Sequence, residues 1–357
     1  MSKVINIQPG TRIEGHSRVA ITLDDAGNVA DTKFHVQNLR GFEKFCEGRP
    51  VEEMPRTVCH ICGICPWAHH LASVKAVDGC FGGEVAPVAH KLRDMFYHAH
   101  YIHSHIAHFY ALAAPDFVVG PTSDPAQRNI LGVVAKVGLQ IGGEVIKHRA
   151  YAQDIQSVIG GKATHPVCGL PGGISKALSE ENRVEIERMA ESSVKFAQFT
   201  LQVFNDVVLK NKKYVDVILS DAYKHRTYYM GTVDENNKVN FYDGKLRIVT
   251  PEGKEFAKWA PAEYLNNIEE HVEPWTYVKL PYLKQIGWKG LVDGPQSGIY
   301  RVAPLGRLNA ADGMATPLAN EEYKRMYETL GGKPVHATLA MHWARLVELL
   351  YAAERTL

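Results

Sequence analysis

The feature that most constrains this chain is a cluster of three cysteines. Cys59, Cys62 and Cys65 stand three residues apart in the stretch RTVCHICGICPWAHH, residues 56–70. Cys62 and Cys65 form a Cys-x-x-Cys motif, whose tight turn lets two thiolates converge on one metal ion. Three histidines lie in the same stretch: His60, His69 and His70. We therefore expect the fold to present this stretch as a metal site.

Composition places the chain among globular proteins of a reducing compartment. The 357 residues are 45% hydrophobic, which is enough to bury a large core. Six cysteines in a chain of this length do not form a disulfide framework. The N-terminus lacks the apolar stretch of a signal peptide. We therefore predict a cytoplasmic protein whose crowded thiols bind metal.

The charge pattern argues against two classes of partner. The net charge is +1 and no long run of Lys or Arg is present, so nucleic acid is not favoured. The longest apolar stretches are interrupted and too short to cross a bilayer. We expect neither nucleic-acid binding nor a membrane span.

Hydrophobic periodicity predicts a mainly α fold with small β elements, of the α+β class. A helical bundle forms the core, with an N-terminal sheet and a β-rich insertion. We predict one domain in five consecutive parts: β-rich at 1–48, helical core at 49–226, β insertion at 227–257, irregular at 258–335 and a further helix at 336–357.

Local signals predict the bounds of several elements. We expect one helix over 87–114 that Pro115 ends, because proline cannot continue the backbone ladder. A second continuous helical pattern covers 125–159, and Ser179 is a predicted N-cap. The run KVNFYD at 238–243 is predicted to be a strand.

On the residues alone, four chemical interpretations of the cysteine cluster stay open. A structural zinc site usually needs a second Cys-x-x-Cys or a paired His group, and the sequence lacks both at the usual spacing. An iron–sulfur cluster would use Cys59, Cys62 and Cys65, with Cys80 or Cys168 as a fourth ligand at an unusual spacing. A thioredoxin-type pair would need a βαβ context. Buried, inert thiols are the fourth alternative.

An ordered set of motifs gives the chain a family resemblance. The motifs are TRIEGH at 11–16, RGFEKFCEGRP at 40–50, ICGICPWAHH at 61–70, HIAHFYALAAPDF at 105–117, HPVCGLPGG at 165–173 and YRVAPLGRLN at 300–309. In this order they resemble the large subunit of a nickel–iron hydrogenase over essentially the whole chain. The similarity is greatest to the cytoplasmic, non-deazaflavin-reducing class that works with heterodisulfide reductase and reduces methyl viologen.

The resemblance implies a role for each of five residues. Cys62 would be a terminal nickel ligand, and Cys65 would bridge nickel to an iron that carries carbon monoxide and cyanide. His69 would donate a hydrogen bond to the bridging sulfur. Glu14 would accept and release the proton that comes from dihydrogen. Glu43 matches a carboxylate that holds magnesium in many members.

The resemblance also implies partners and one missing motif. Electrons would pass to an iron–sulfur small subunit, and onward to acceptor subunits of the heterodisulfide reductase type. The family takes two more nickel ligands from a C-terminal D-P-C-x-x-C-x-x-H, whereas no cysteine follows Cys168 here. The last helical pattern runs to Leu357 with no residue that would end a helix. We therefore expect a chain truncated at its C-terminus.

Three functions are compatible with these observations. The first is the catalytic subunit of a hydrogenase, although this chain alone carries half of the metal ligands. The second is a non-catalytic scaffold subunit of an electron-transfer complex, which would have no use for paired thiolates. The third is an iron–sulfur electron carrier that uses Cys59, Cys62 and Cys65.

Overall fold

The computed structural model describes residues 3–357, and its architecture is a helical core flanked by small sheets. The helices are α1 Phe42–Cys46, α2 Met54–Val58, α3 Pro66–Phe81, α4 Pro87–Ala107, α5 Ile130–Val137, α6 Leu139–Gly160, α7 Glu180–Phe204, α8 Lys212–Ile218, α9 Tyr264–Asn267, α10 Ala303–Ala310, α11 Pro317–Thr329 and α12 Met341–Thr356. Helix accounts for 51% of the chain and strand for 15%, which confirms the predicted mainly α class.

Eleven short strands form four sheets in the described part of the chain. The strands are β1 Lys3–Ile7, β2 Ser17–Leu23, β3 Val29–Val36, β4 Gly169–Leu170, β5 Gly173–Ile174, β6 Tyr228–Val233, β7 Lys245–Val249, β8 Glu255–Trp259, β9 Ile268–His271, β10 Leu280–Leu283 and β11 Tyr300–Arg301. Strands β1, β2 and β3 make the predicted N-terminal antiparallel sheet, in which Ile5 pairs with Ile21. The insertion is a sheet of order β11-β6-β7-β8, with β11 parallel to β6.

The core forms around helix α12. Trp343, Leu346, Val347 and Leu350 are at most 2% exposed, and the helix packs against α4, α7, α10 and α11. Each such side chain contributes about 1.5–3 kcal/mol when it is fully buried. The main hydrophobic cluster therefore joins the last helix of the chain to the second helix after the cysteine motif, α4.

Two helix predictions were wrong in their bounds. Helix α4 ends at Ala107, but helical structure continues as π-helix through Pro115 to Val119. Pro115 opens the second π-helical segment, a position at which the missing N–H of proline is tolerated. The predicted helix over 125–159 is two helices, because Gly138 adopts a φ of 91° and separates α5 from α6.

Two β and loop predictions were also wrong. The run at 238–243 is not a strand: the Asn240 side chain accepts hydrogen bonds from the amides of Tyr242 and Asp243 and turns the chain. The segment 258–335 is not irregular, since it carries three strands and helices α9, α10 and α11. The predicted N-cap is confirmed, because the Ser179 hydroxyl accepts from the amide of Asn182 at 3.2 Å.

A buried ion pair joins three of the core helices. The Glu348 carboxylate on α12 is fully buried and accepts from Nε and Nη2 of Arg307 on α10, at 2.6 and 2.7 Å. His105 on α4 receives a hydrogen bond from Arg345 at Nδ1, so its Nε2 carries the proton and donates to Glu348 at 3.0 Å. Since a buried charge without a partner is costly, these contacts fix the relative positions of the helices.

Glu348→Gln keeps the shape of the side chain and removes its charge. We expect the free energy of unfolding to fall by about 3–5 kcal/mol, because Arg307 then lacks its counterion. Urea unfolding followed by circular dichroism measures the change. Glu180→Gln is the control: Glu180 pairs with Arg183 on the exposed face of α7, and its loss should leave the midpoint unchanged. Equal midpoints for both variants would contradict the assignment.

Candidate metal centre

The cysteine loop lies between helices α2 and α3. Cys65 is the residue that precedes the first turn of α3, and Pro66 opens that helix. The backbone amides of Ile64 and Cys65 donate to Sγ of Cys62 at 3.4 and 3.2 Å. A sulfur that accepts two amide hydrogen bonds is stabilised as a thiolate, which is the form that binds metal.

Three ligand atoms converge at this loop. Sγ of Cys62, Sγ of Cys65 and a ring nitrogen of His69 lie within 4.8 Å of one another. His69 follows Cys65 by four residues along α3, so the two side chains share a helix face. Within residues 3–357 no other trio of His, Cys, Asp or Glu side chains comes this close. The predicted site residues Cys62, Cys65 and His69 therefore meet in space.

The two sulfurs share one proton. A hydrogen bond from the Cys65 thiol, followed by one from His69, lowers the pKa of Cys62 far below that of an ordinary cysteine. The same hydrogen bond, together with burial, raises the pKa of Cys65. The hydrogen bond from His69 to the bridging sulfur, which the family resemblance implies, stays a prediction. The loop therefore holds a thiolate through its own hydrogen bonds.

Glu14 lies beside this thiolate. Its Oε1 is 3.7 Å from Sγ of Cys62. Partial burial, followed by the negative charge of Cys62, raises the pKa of the carboxyl group. Depending on which atom holds the proton, either the thiol donates to the carboxylate or the carboxyl O–H donates to the thiolate. Glu14 and Cys62 are thus placed to exchange a proton.

An ion pair holds the loop that carries Glu14. Nη1 of Arg12 lies 2.8 Å from Oδ2 of Asp116 and donates to the carbonyl of Leu112 at 3.2 Å. Arg12 adopts a φ of 56°, which is unusual for a residue with a side chain. Both acceptors lie in the π-helical region that follows α4, so the loop is fixed to the helical core.

Two clefts of different composition flank the site. One of about 720 Å³ lies on the Glu14 side, between the N-terminal loop, α4 with its π-helical continuation, and the start of α12. His108 and His342 both line it, and Nδ1 of each is buried without a hydrogen-bond partner in the described residues. The other cleft, of about 520 Å³, lies on the α1 and α2 side and is lined by Phe42, Phe45 and His60 among others. The cleft on the Glu14 side has no sequence signal, because its walls come from segments far apart in the chain.

Two predicted participants lie outside the convergent group. Glu43 is exposed on α1 and forms an ion pair with Arg40 at 2.8 Å, which lowers the pKa of the carboxyl group. Its magnesium role stays a prediction. Cys59 is buried, and its thiol donates to the carbonyl of Arg56 at 3.0 Å. Cys59 therefore lies outside the trio of ligand atoms that come within 4.8 Å of one another.

Sequence reasoning missed the side chains that support the site from behind. Arg93 on α4 is fully buried, pairs with Asp78 on α3 at 2.6 Å and donates to the carbonyls of Leu170 and Gly173. These contacts fix the loop of the HPVCGLPGG motif against the helix that follows Cys65. An arginine and an aspartate 15 residues apart on different helices give no local signal that would reveal the pair.

Comparison with known proteins places this site in a family. The profile of the nickel-dependent hydrogenase family matches residues 40–127, which include the cysteine motif, and a HoxL-like profile matches residues 4–39. The chain is 49% identical to an iron-sulfur subunit of the F420-non-reducing hydrogenase of Archaeoglobus profundus, over 99% of its own length and 73% of the relative's. It therefore belongs to the nickel-dependent hydrogenase large-subunit family.

Further relatives and solved structures agree with this placement. The chain is 46% identical to a vhu subunit of the F420-non-reducing hydrogenase of Methanocaldococcus jannaschii, over 99% of this chain and 81% of that protein. The crystal structure of an NAD+-reducing [NiFe]-hydrogenase in the H2-reduced state superposes with a TM-score of 0.88 at 33% identity, over 99% of this chain and 76% of that one. The predicted hydrogenase large-subunit fold and enzyme class are thus confirmed.

No helix among residues 3–357 is both long and apolar enough to cross a membrane.

The shared proton predicts the reactivity of Cys62 in the metal-free chain. Because its pKa is lowered, the sulfur stays a thiolate, and alkylation by iodoacetamide should proceed at the same rate from about pH 6 to pH 8. Peptide mapping by mass spectrometry follows the rate. In urea-unfolded chain the rate should rise with pH, because an ordinary thiol has a pKa of about 8.5. A similar rise in the folded chain would contradict the assignment.

Proposed function

We propose that this chain holds the nickel–iron centre of its hydrogenase through Cys62 and Cys65 and takes part in the reversible heterolytic cleavage of dihydrogen. The observation that carries the proposal is the convergence of Cys62, Cys65 and His69 beside Glu14. Membership of the family supplies the reaction class, and this geometry supplies the groups that the reaction needs.

The donor set fits the metals. Soft thiolates suit nickel and iron, and Cys62 is held as a thiolate by two backbone amides. Cys62 would be a terminal nickel ligand and Cys65 would bridge nickel to iron, as the family resemblance implies. When bound, a nickel–iron centre with carbon monoxide and cyanide on iron supplies the open coordination at which dihydrogen is polarised.

The chain's own residues handle the proton. Glu14 lies 3.7 Å from the Cys62 sulfur, and burial together with the charge of Cys62 raises the pKa of its carboxyl group, which suits a group that accepts a proton and releases it again. Arg12 and Asp116 hold the backbone of this loop in place, which keeps Glu14 directed at the sulfur. His69 orients the sulfurs by hydrogen bonding and stabilises their negative charge.

An iron–sulfur subunit is the proposed partner, with acceptor subunits of the heterodisulfide reductase type beyond it. Apolar side chains next to the site residues are exposed, which supports docking of a protein there: Ile13 at 43%, Phe45 at 52%, Ile61 at 47% and Ile64 at 44%. The relatives from Archaeoglobus and Methanocaldococcus are named as F420-non-reducing, so a deazaflavin is not the proposed acceptor.

Two further assignments belong to the proposal. We place magnesium at Glu43, whose carboxylate is ionised and exposed on α1. We place the protein in the cytoplasm, because all six cysteines are free thiols. The scaffold alternative is disfavoured by the convergent thiolates, which a purely structural subunit does not need.

Deuterium–proton exchange tests the proposal in the hydrogenase assembled with its natural partners and metals. We expect Cys62→Ser and Cys65→Ser to abolish both exchange and bound nickel. Glu14→Gln should keep the nickel and slow exchange by about 10²–10⁴-fold, because it removes only the proton acceptor. Mass spectrometry of the evolved gas measures exchange, and metal analysis measures nickel.

The matched control for Glu14 is Glu47→Gln. Glu47 is an exposed carboxylate that pairs with Lys44 of α1, and its change should affect neither readout. Exchange at the wild-type rate in Glu14→Gln would overturn the role of Glu14. Full nickel content in the Cys62→Ser and Cys65→Ser enzymes would overturn the ligand assignment.

A further inference from the structure

His70 lies directly behind the metal centre and is only 1% exposed. The backbone amide of Gly169 donates to its Nε2 at 2.9 Å. Since an amide N–H can only donate, Nε2 is an acceptor and the ring proton lies on Nδ1. Nδ1 in turn donates to the carbonyl of Pro55 at 3.0 Å. The surroundings therefore select one tautomer of a buried, neutral imidazole.

These two hydrogen bonds join three segments around the thiol loop. Pro55 lies in α2, before the loop that carries Cys62. His70 lies in the second turn of α3, after Cys65, and Gly169 starts β4 in a loop that packs against α3. The bond from His70 to Pro55 thus closes the base of the loop that displays the two thiols.

The packing leaves His70 little freedom. A Cβ placed on Gly169 would lie 2.1 Å from Cγ2 of Val74 and 2.9 Å from Nε2 of His70, so only glycine fits there. Sγ of Cys168 lies 3.8 Å from the same nitrogen. The imidazole is therefore held from both sides, and it cannot turn without breaking a buried hydrogen bond.

We propose that His70 is a positioning residue for the metal centre: through Pro55 and Gly169 it sets the separation and direction of the Cys62 and Cys65 sulfurs without touching the metal. The inference rests on the proposed function, because it takes these two cysteines as ligands. His70 and His69 are neighbours on α3, so a shift of His70 moves His69 and the start of the helix together.

Three variants separate the two hydrogen bonds. His70→Asn places an amide donor near the Nδ1 position and keeps the bond to Pro55. His70→Gln places an acceptor near Nε2 and keeps the bond from Gly169. His70→Leu removes both. Cobalt(II) titrated into the full metal-free chain reports on the site, since thiolate-to-cobalt charge transfer gives an absorption band whose intensity depends on sulfur geometry.

We expect His70→Leu to weaken cobalt binding by about 10–100-fold, the usual effect of losing a group that orients metal ligands. His70→Asn should bind more tightly than His70→Gln, because it retains the bond at the base of the loop. His98→Leu is the matched control: His98 is fully buried and donates to the carbonyl of Asp94 at 2.8 Å within α4. Its loss should lower the unfolding temperature and leave cobalt binding unchanged.

Wild-type cobalt affinity and band shape in His70→Leu would overturn the proposal, as would equal weakening in His98→Leu. If His70→Leu does not fold, the relative cobalt affinities of His70→Asn and His70→Gln test the proposal instead. A ¹⁵N NMR measurement of the wild-type imidazole then shows which ring nitrogen carries the proton. A proton on Nε2 instead of Nδ1 would overturn the proposal. Failure of the proposed function gives a different result, because cobalt binding would then persist in Cys62→Ser and Cys65→Ser. That result would overturn both the ligand assignment and the role of His70.

Discussion

The hydrogen bond between the sulfurs of Cys62 and Cys65 is the interaction on which the metal site depends. The two sulfurs and a ring nitrogen of His69 lie within 4.8 Å of one another, and two thiolates at this distance would repel each other. Within the chain itself the compensation comes from one retained proton and from the amides of Ile64 and Cys65. A metal ion would replace that proton. The loop is therefore arranged for a cation by its own hydrogen bonds.

The surrounding fold turns this arrangement into a proton-handling site. The loop between β1 and β2 brings Glu14 to Cys62, and Arg12 fixes that loop to Asp116. The π-helical continuation of α4 supplies both acceptors for Arg12. Wide helical turns of this kind are frequent at functional sites. Behind them, Glu348 ties α12 to α4 and α10, which makes the platform rigid.

The sequence predicted the metal-binding side chains better than the buried side chains that hold them in place. Cys62, Cys65 and His69 are close in the sequence, and a short turn followed by one helical turn is enough to bring them together. Their convergence was therefore predictable. Glu14 could be placed beside them only through the family resemblance, because 48 residues separate it from Cys62. The pair of Asp78 and Arg93 was missed because tertiary packing alone brings these side chains together.

The limited information in local sequence patterns also explains the errors in the predicted bounds of helices and strands. Amphipathic periodicity correctly predicted the helical core and the three N-terminal strands. It did not show that Gly138 divides a long helical pattern, or that Pro115 falls where helical structure continues. The run at 238–243 has the composition of a strand, but a local hydrogen bond from the backbone to Asn240 turns it. Local side-chain bonds of this kind override strand propensity.

Anomalous diffraction at the nickel edge, from crystals of the assembled hydrogenase, tests the central claim most directly. We expect one anomalous peak within bonding distance of Sγ of both Cys62 and Cys65. A nickel peak bound by other residues, with these two sulfurs free, would contradict it.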